Sequence, residues 1–192
     1  MGAPEGVKMT RVGYCGGSKE RPTYRKICSD PEYSDWAECV QVDFDEEEIS
    51  FAELCEVFFD AHEPSVRETK RQYMSFIFAH TDEQFETANK VLHGGSFRRS
   101  VSTGVEKATD FYEAELYHQK WMLQKSPWFK RLGLQDPRDL VDVQGVAACK
   151  LNAFAAGKIE PAYLRWYAAS WVEDDVVSQK TFDRLKLYLD RL

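Results

Sequence analysis

Val12-Gly13-Tyr14-Cys15-Gly16-Gly17 is the end of a strand and the stop that follows it. Upstream, Val7, Met9, Arg11 and Gly13 alternate with Lys8, Thr10, Val12 and Tyr14, a period of two that predicts a strand from Gly6 to Tyr14 ended by the glycine pair. Ser18 to Trp36 holds no sustained period and reads as a long irregular loop, although Tyr24, Tyr33 and Trp36 are rings that seek burial and argue against disorder. Ala37 to Phe44 is a second strand, with Cys39, Gln41 and Asp43 on one face and Val40, Val42 and Phe44 on the other.

The chain then turns helical. Ser50 caps a helix whose Phe51, Leu54, Cys55 and Phe58 share one face, with Glu53 at the capping-box position and an end near His62 ahead of Pro64. Tyr73 to Phe78 predicts a third strand. Thr81 caps a helix through Leu92 that Gly94-Gly95 ends, Val105 to Phe111 predicts a short strand, and Glu113 to Lys125 another helix. This alternation makes the first region α/β or α+β. From Asp139 the pattern is helical only, over about 139–156, 161–171 and 173–191, with no linker before it. The division expected is a domain over 1–136 and a helical extension over 137–192.

Composition narrows the function classes. Among 192 residues, 43% are apolar and 30% charged, which excludes disorder and fibrous folds. A net charge of -7 disfavours nucleic acid and anionic lipid as partners. No apolar run approaches the roughly 20 residues of a membrane helix, and Met1 opens no secretory leader, so a soluble cytoplasmic protein is expected. The five cysteines, at 15, 28, 39, 55 and 149, are an odd number in a chain long enough to hold a core without staples, and they read as thiols. His62, His80, His93 and His118 lack the spacing of a metal site, and the glycine pairs lack the context of a phosphate loop.

One ordered set of motifs stands above these. Gly13-Tyr14-Cys15-Gly16-Gly17 is followed by Pro22-Thr23-Tyr24, then by Ala37-Glu38 at the head of a strand. Ile49-Ser50-Phe51, Val57-Phe58-Phe59 running into His62-Glu63-Pro64, Arg71-Gln72-Tyr73 and Phe111-Tyr112-Glu113-Ala114-Glu115 come next in order. The set resembles the A-type peptide methionine sulfoxide reductases. The tail, with Leu151-Asn152-Ala153-Phe154, is similar to a subgroup that ends in helices. The resemblance implies a ferredoxin-like α+β fold, a two-layer sandwich on a mixed or antiparallel sheet with the helical extension added.

It also implies an activity. A peptide-methionine (S)-S-oxide reductase returns methionine S-sulfoxide, free or in proteins, to methionine, with no bound cofactor and with thioredoxin or another external dithiol as reductant. A thiolate attacks the sulfoxide sulfur while a proton reaches the oxygen. By resemblance Glu38 is the proton donor, and Tyr24 and Tyr73 hydrogen-bond the sulfoxide oxygen. A carboxyl in an aromatic pocket is expected to stay protonated near neutral pH. Taken alone, Glu38 reads as an edge-strand surface charge and the tyrosines as core aromatics with satisfied hydroxyls.

Three departures accompany the match. The family's nucleophile lies in a Gly-Cys-Phe-Trp motif before the Gly-Tyr strand, and these 192 residues contain no such motif. Met1 to Val7 corresponds to the turn after that helix, so the expectation is a chain lacking the preceding strand and helix and inactive as it stands. Trp36 replaces the histidine usual before Ala-Glu, and the segment from Pro64 to Tyr73 is short, leaving Glu68 as the alternative acidic residue there. Cys15 is the alternative nucleophile, against a plain reading as a small buried residue. Cys28 and Cys55 read as structural, Cys39 faces away from Glu38, and Cys149 sits in a helical run. The competing function is a non-catalytic homologue that binds sulfoxide or a protein partner.

Overall fold

A computed structural model describes residues 1–94, 101–127, 146–173 and 179–191. Strand β1 is Val7–Cys15, one residue later at each end than the Gly6 to Tyr14 expected, and strand β2 is Ala37–Phe44, as the alternation predicts. Between them the expected irregular loop contains helix α1, Tyr24–Ser29, and a 3-10 turn, Pro31–Tyr33. Thr23 and Asp30 start these two pieces by accepting the Lys26 and Glu32 amides through their side chains. Six residues are too few for a helical period to show in the sequence. Helix α2, Phe51–Asp60, carries the full capping box: the Glu53 amide donates to Ser50 Oγ at 3.3 Å and the Ser50 amide to Glu53 Oε2 at 2.8 Å.

Strand β3 is Phe76–Ala79, helix α3 is Asp82–Gly94 and strand β4 is Gly104–Lys107. Here the expected Tyr73 to Phe78 strand is corrected, because Arg71–Tyr73 closes a 3-10 turn first, the Met74 amide donating to the Arg71 carbonyl. The expected Val105 to Phe111 strand is likewise corrected: β4 ends at Lys107, and a separate short strand, β5, follows at Tyr112–Glu113, where a helix was expected to begin. Thr109 Oγ1 accepts the Gly16 amide at 2.9 Å and pulls the chain from β4 toward β1. The Glu113 to Lys125 helix shrinks to α4, Trp121–Lys125, since Glu113 pairs with β1 and Lys120 at φ 50° is left-handed. Helices α5 (Val146–Ala155), α6 (Pro161–Glu173) and α7 (Gln179–Leu189) form the tail. The predicted stretches 139–145 and 174–178, and the boundary at 136/137, lie outside the described residues.

The strands make two sheets, β2-β1-β5 with β1 and β5 antiparallel, and β3-β4 parallel, the latter pair joined through α3 as parallel strands require. With its helical C-terminal part, the fold is α+β. Two compact units can be told apart. Val12–Gln41 with Glu46–Glu115 encloses one core of Tyr14, Ile27, Trp36 and Ala114 and a second of Cys55, Phe59, Ile77 and Ala88. Met1–Arg11, Val42–Asp45 and Leu116–Leu192 form the other, around Leu123, Leu151, Leu164, Trp171 and Leu185.

Candidate functional site

The unit spanning Val12–Gln41 and Glu46–Glu115 brings Tyr24, Glu38 and Tyr73 into one hydrogen-bonded cluster. Glu38 is the second residue of β2, and because strand side chains alternate it points outward beside the buried Ala37. Tyr24 opens α1. Glu115 fixes it there, accepting the Tyr24 amide on Oε1 at 3.0 Å and the Tyr14 hydroxyl on Oε2 at 2.9 Å. Tyr73 ends the 3-10 turn that Arg71 anchors. The Arg71 guanidinium makes a two-pronged pair with Glu106 at 2.6 and 3.0 Å, donates through Nε to the Asp35 carbonyl at 2.7 Å and lies over the Phe76 ring.

Gln72 is the centre of the cluster and only 4% exposed. Its Nε2 donates to Glu38 Oε1 at 3.2 Å and lies 3.5 Å from Cys28 Sγ. The Tyr24 hydroxyl is hydrogen-bonded with Cys28 and with Tyr73, and the Cys28 thiol, followed by Tyr73, pushes the Tyr24 phenol up to about 12. Tyr24 therefore keeps its proton at neutral pH and remains a donor. It is 36% exposed and Tyr73 50%, so two phenol groups and the Glu38 carboxyl are open to solvent while the Gln72 amide behind them is buried. Such a set can donate several hydrogen bonds to one oxygen atom.

Several expectations change. Glu38 is exposed, not sealed in a ring-lined pocket, because an outward position near the head of β2 leaves its carboxyl open to water. Cys28, expected to be structural, is exposed and sits in the cluster, since α1 sets it one turn after Tyr24. In the sequence Gln72 is one position of the Arg71-Gln72-Tyr73 motif; its burial between two polar groups is a tertiary fact that no local pattern carries. Glu68 is exposed, and no hydrogen bond described here ties it to Glu38, Tyr24 or Tyr73. Cys15 is 3% exposed, and its partners are Thr109 and Cys39, not the cluster. Hydrogen bonding from Cys39 lowers the Cys15 thiol to about 6, while the same contact raises Cys39.

The remaining residues singled out pack. Trp36 is 2% exposed and meets Tyr112 edge to face at 5.4 Å. Gly17 lies so close to it that an added Cβ would stand 2.2 Å from the indole. Cys55 is buried in the α2 core, where burial pushes its thiol up to about 11, and Cys149 is buried 3.2 Å from Thr10 Oγ1. Among the described residues no group of three or more His, Cys, Asp or Glu side chains could hold a metal ion, and no helix is long and apolar enough to cross a membrane.

Comparison with known proteins agrees with the ordered motifs. The family model described as peptide methionine sulfoxide reductase matches residues 1–140. The peptide methionine sulfoxide reductase MsrA of Methanothermobacter thermautotrophicus is 39% identical over 132 residues, 64% of this chain and 76% of that protein. A peptide methionine sulfoxide reductase of Drosophila melanogaster is 38% identical over 160 residues, 81% of this chain and 62% of the relative. Among solved structures, reduced Mxr1 from Saccharomyces cerevisiae superposes with a TM-score of 0.54 at 28% identity, over 60% of this chain and 70% of that one. The chain belongs to the peptide methionine sulfoxide reductase family, in its A branch. It spans about three-quarters of the archaeal relative and less than two-thirds of the insect one.

Proposed function

We propose that the Glu38 cluster is the sulfoxide-binding part of a peptide-methionine (S)-S-oxide reductase. The observation that carries this is the network in which buried Gln72 joins Glu38 to Cys28 while Tyr24 is linked to Cys28 and to Tyr73, in a chain of this family. In this reading the two phenols donate to the sulfoxide oxygen. Glu38 delivers one of the two protons with which that oxygen leaves as water as the S–O bond breaks, and solvent supplies the other. The electron pair comes from a thiolate that attacks the sulfur. One thiol of an external dithiol such as thioredoxin then displaces methionine from the enzyme sulfur, forming a mixed disulfide and releasing its proton, and its second thiol restores the enzyme thiol. No bound cofactor takes part. Substrates are free methionine sulfoxide and oxidised methionines in proteins, and the role is repair after oxidative damage. Five cysteines, all unbridged, suit a reducing compartment, and we place the protein in the cytoplasm.

The attacking thiol is the second half of the question, because the Gly-Cys-Phe-Trp motif is not among the 192 residues. The chain as given is therefore proposed to bind the sulfoxide without reducing it. Adding methionine S-sulfoxide to isotope-labelled protein is expected to shift resonances of residues around Glu38, with no methionine formed when dithiothreitol is supplied. Absence of shifts near Glu38 would refute the binding role. Turnover that vanishes in Cys15→Ser or in Cys28→Ser would instead make the chain a complete reductase using that thiol.

A further inference from the structure

The 3-10 turn that carries Gln72 and Tyr73 is held from two sides. Arg71 ties its front to Glu106 and to the Asp35 carbonyl. Behind it stands Ser75, half-buried between the turn and β3, whose carbonyl accepts the Gly104 amide at 3.0 Å. The Ser75 hydroxyl lies 2.8 Å from His62 Nε2 and 2.8 Å from Oγ1 of the buried Thr103. His62 follows the end of α2, with Nδ1 2.8 Å from the Phe58 carbonyl and its ring against those of Phe58 and Phe59. These contacts fix the direction of each hydrogen bond. A carbonyl only accepts, so Nδ1 carries the hydrogen and Nε2 of the neutral imidazole is an acceptor. Ser75 therefore donates its one proton to His62, and Thr103 donates to Ser75. Next to Thr103, the Ser102 amide and hydroxyl donate to the Pro64 carbonyl at 2.8 and 2.9 Å, so the chain entering β4 is tied to the exit of α2 as well.

We propose that His62 and Ser75 are positioning residues for Tyr73: the hydrogen-bonded chain from Thr103 through Ser75 to His62 sets where the Tyr73 hydroxyl meets a bound sulfoxide oxygen. This rests on the sulfoxide-binding reading of the Glu38 cluster. Tyr73 is 50% exposed, so its own packing does little to hold it, and its place is set by the backbone that carries it. Only Met74 stands between Tyr73 and Ser75, and the Met74 amide is already spent on the Arg71 carbonyl. Little slack remains, and a shift of Ser75 passes to Tyr73 and to Gln72 beside it. An apolar pair at 62 and 75 would also hold α2 against the turn. Hydrogen bonds with fixed directions add what packing lacks, a single position for Ser75. Because a hydrogen bond weakens steeply once its angle opens, a small drift of the turn is felt at the oxygen that Tyr73 serves.

The test is calorimetric titration of the full chain with the S and R forms of methionine sulfoxide, for Ser75→Ala, Ser75→Thr and His62→Phe, alone and combined with Tyr73→Phe. His62→Phe keeps a ring beside Phe58 and Phe59 but removes the acceptor that Ser75 uses. Ser75→Ala and His62→Phe are each expected to weaken binding of the S form about two- to tenfold, the loss of one net hydrogen bond, and to narrow its preference over the R form. Ser75→Thr, which keeps the hydroxyl, restores both. With Tyr73→Phe already in place, neither substitution costs anything more, a coupling that a merely structural role would not produce. S-selective binding that Ser75→Ala and His62→Phe leave unchanged, or losses that add in full to that of Tyr73→Phe, would overturn this proposal alone. An unsubstituted chain that binds neither form would overturn the reading of the Glu38 cluster and this proposal with it. Nitrogen-15 spectra of the unsubstituted chain in mildly alkaline solution need no variant to fold: His62 is expected with its hydrogen on Nδ1, and a hydrogen on Nε2 would overturn the chain of donors.

Discussion

Gln72 spends one amide nitrogen on two neighbours, Glu38 Oε1 and Cys28 Sγ, and so sets the spacing between the carboxyl and α1. Gln72→Ala is expected to leave both without that donor and, at about 0.5–1.5 kcal/mol for a net hydrogen bond, to weaken sulfoxide binding roughly two- to tenfold by calorimetric titration. The Cys15 thiol makes a different prediction. Its folded-state pKa of about 6 lies below the ordinary value of about 8.5. The stabilisation is therefore complete above about 8.5 and is lost as pH falls through 6, because over that window the unfolded chain holds the extra proton. The melting temperature of the wild type minus that of Cys15→Ser should rise between pH 6 and 8.5; a flat difference would show that the thiol is not held ionised. At this scale the sequence marked Tyr24, Glu38 and Tyr73 through motif order, whereas the parts played by Gln72 and Cys28 depend on contacts between residues 44 positions apart.

Among the elements, those with an internal period were legible. β2 has the boundaries that its alternation predicts, and α2 begins where Ser50 and Glu53 say it should. Ser50→Ala removes that cap and is expected to cost about 1 kcal/mol in urea denaturation. The short pieces were not legible, since α1, the Arg71–Tyr73 turn and β5 owe their form to partners elsewhere: Glu115 for α1, Glu106 and Asp35 for the turn, Gly13 and Tyr14 for β5. The Gly16-Gly17 stop has a further reason that the sequence hides. Gly16 sits at φ +82°, and Gly17 lies against the Trp36 ring. Gly17→Ala would force the indole or the turn aside and is expected to cost about 1–3 kcal/mol, read as a lower denaturation midpoint with an unchanged slope.

For the whole molecule, the helical tail was visible as pattern, but its partner was not. The unit that contains the tail also contains Met1–Arg11, and the link is Lys150, fully buried on α5, donating to the Ala3 and Pro4 carbonyls and lying 5.0 Å from the Tyr167 ring. A buried lysine in a helical run carries no local sign of which carbonyls it serves. The family assignment holds at this same scale, since the motif order extends over most of the chain and the family model covers residues 1–140. The central claim is that the Glu38 cluster takes the oxygen of a methionine S-sulfoxide, and calorimetric titration of the chain with the two sulfoxide diastereomers tests it most directly. The account predicts that the S form binds in preference to the R form and to methionine, and that Tyr24→Phe with Tyr73→Phe abolishes the preference. Equal binding of both diastereomers, no binding, or a preference that survives the double substitution would contradict it.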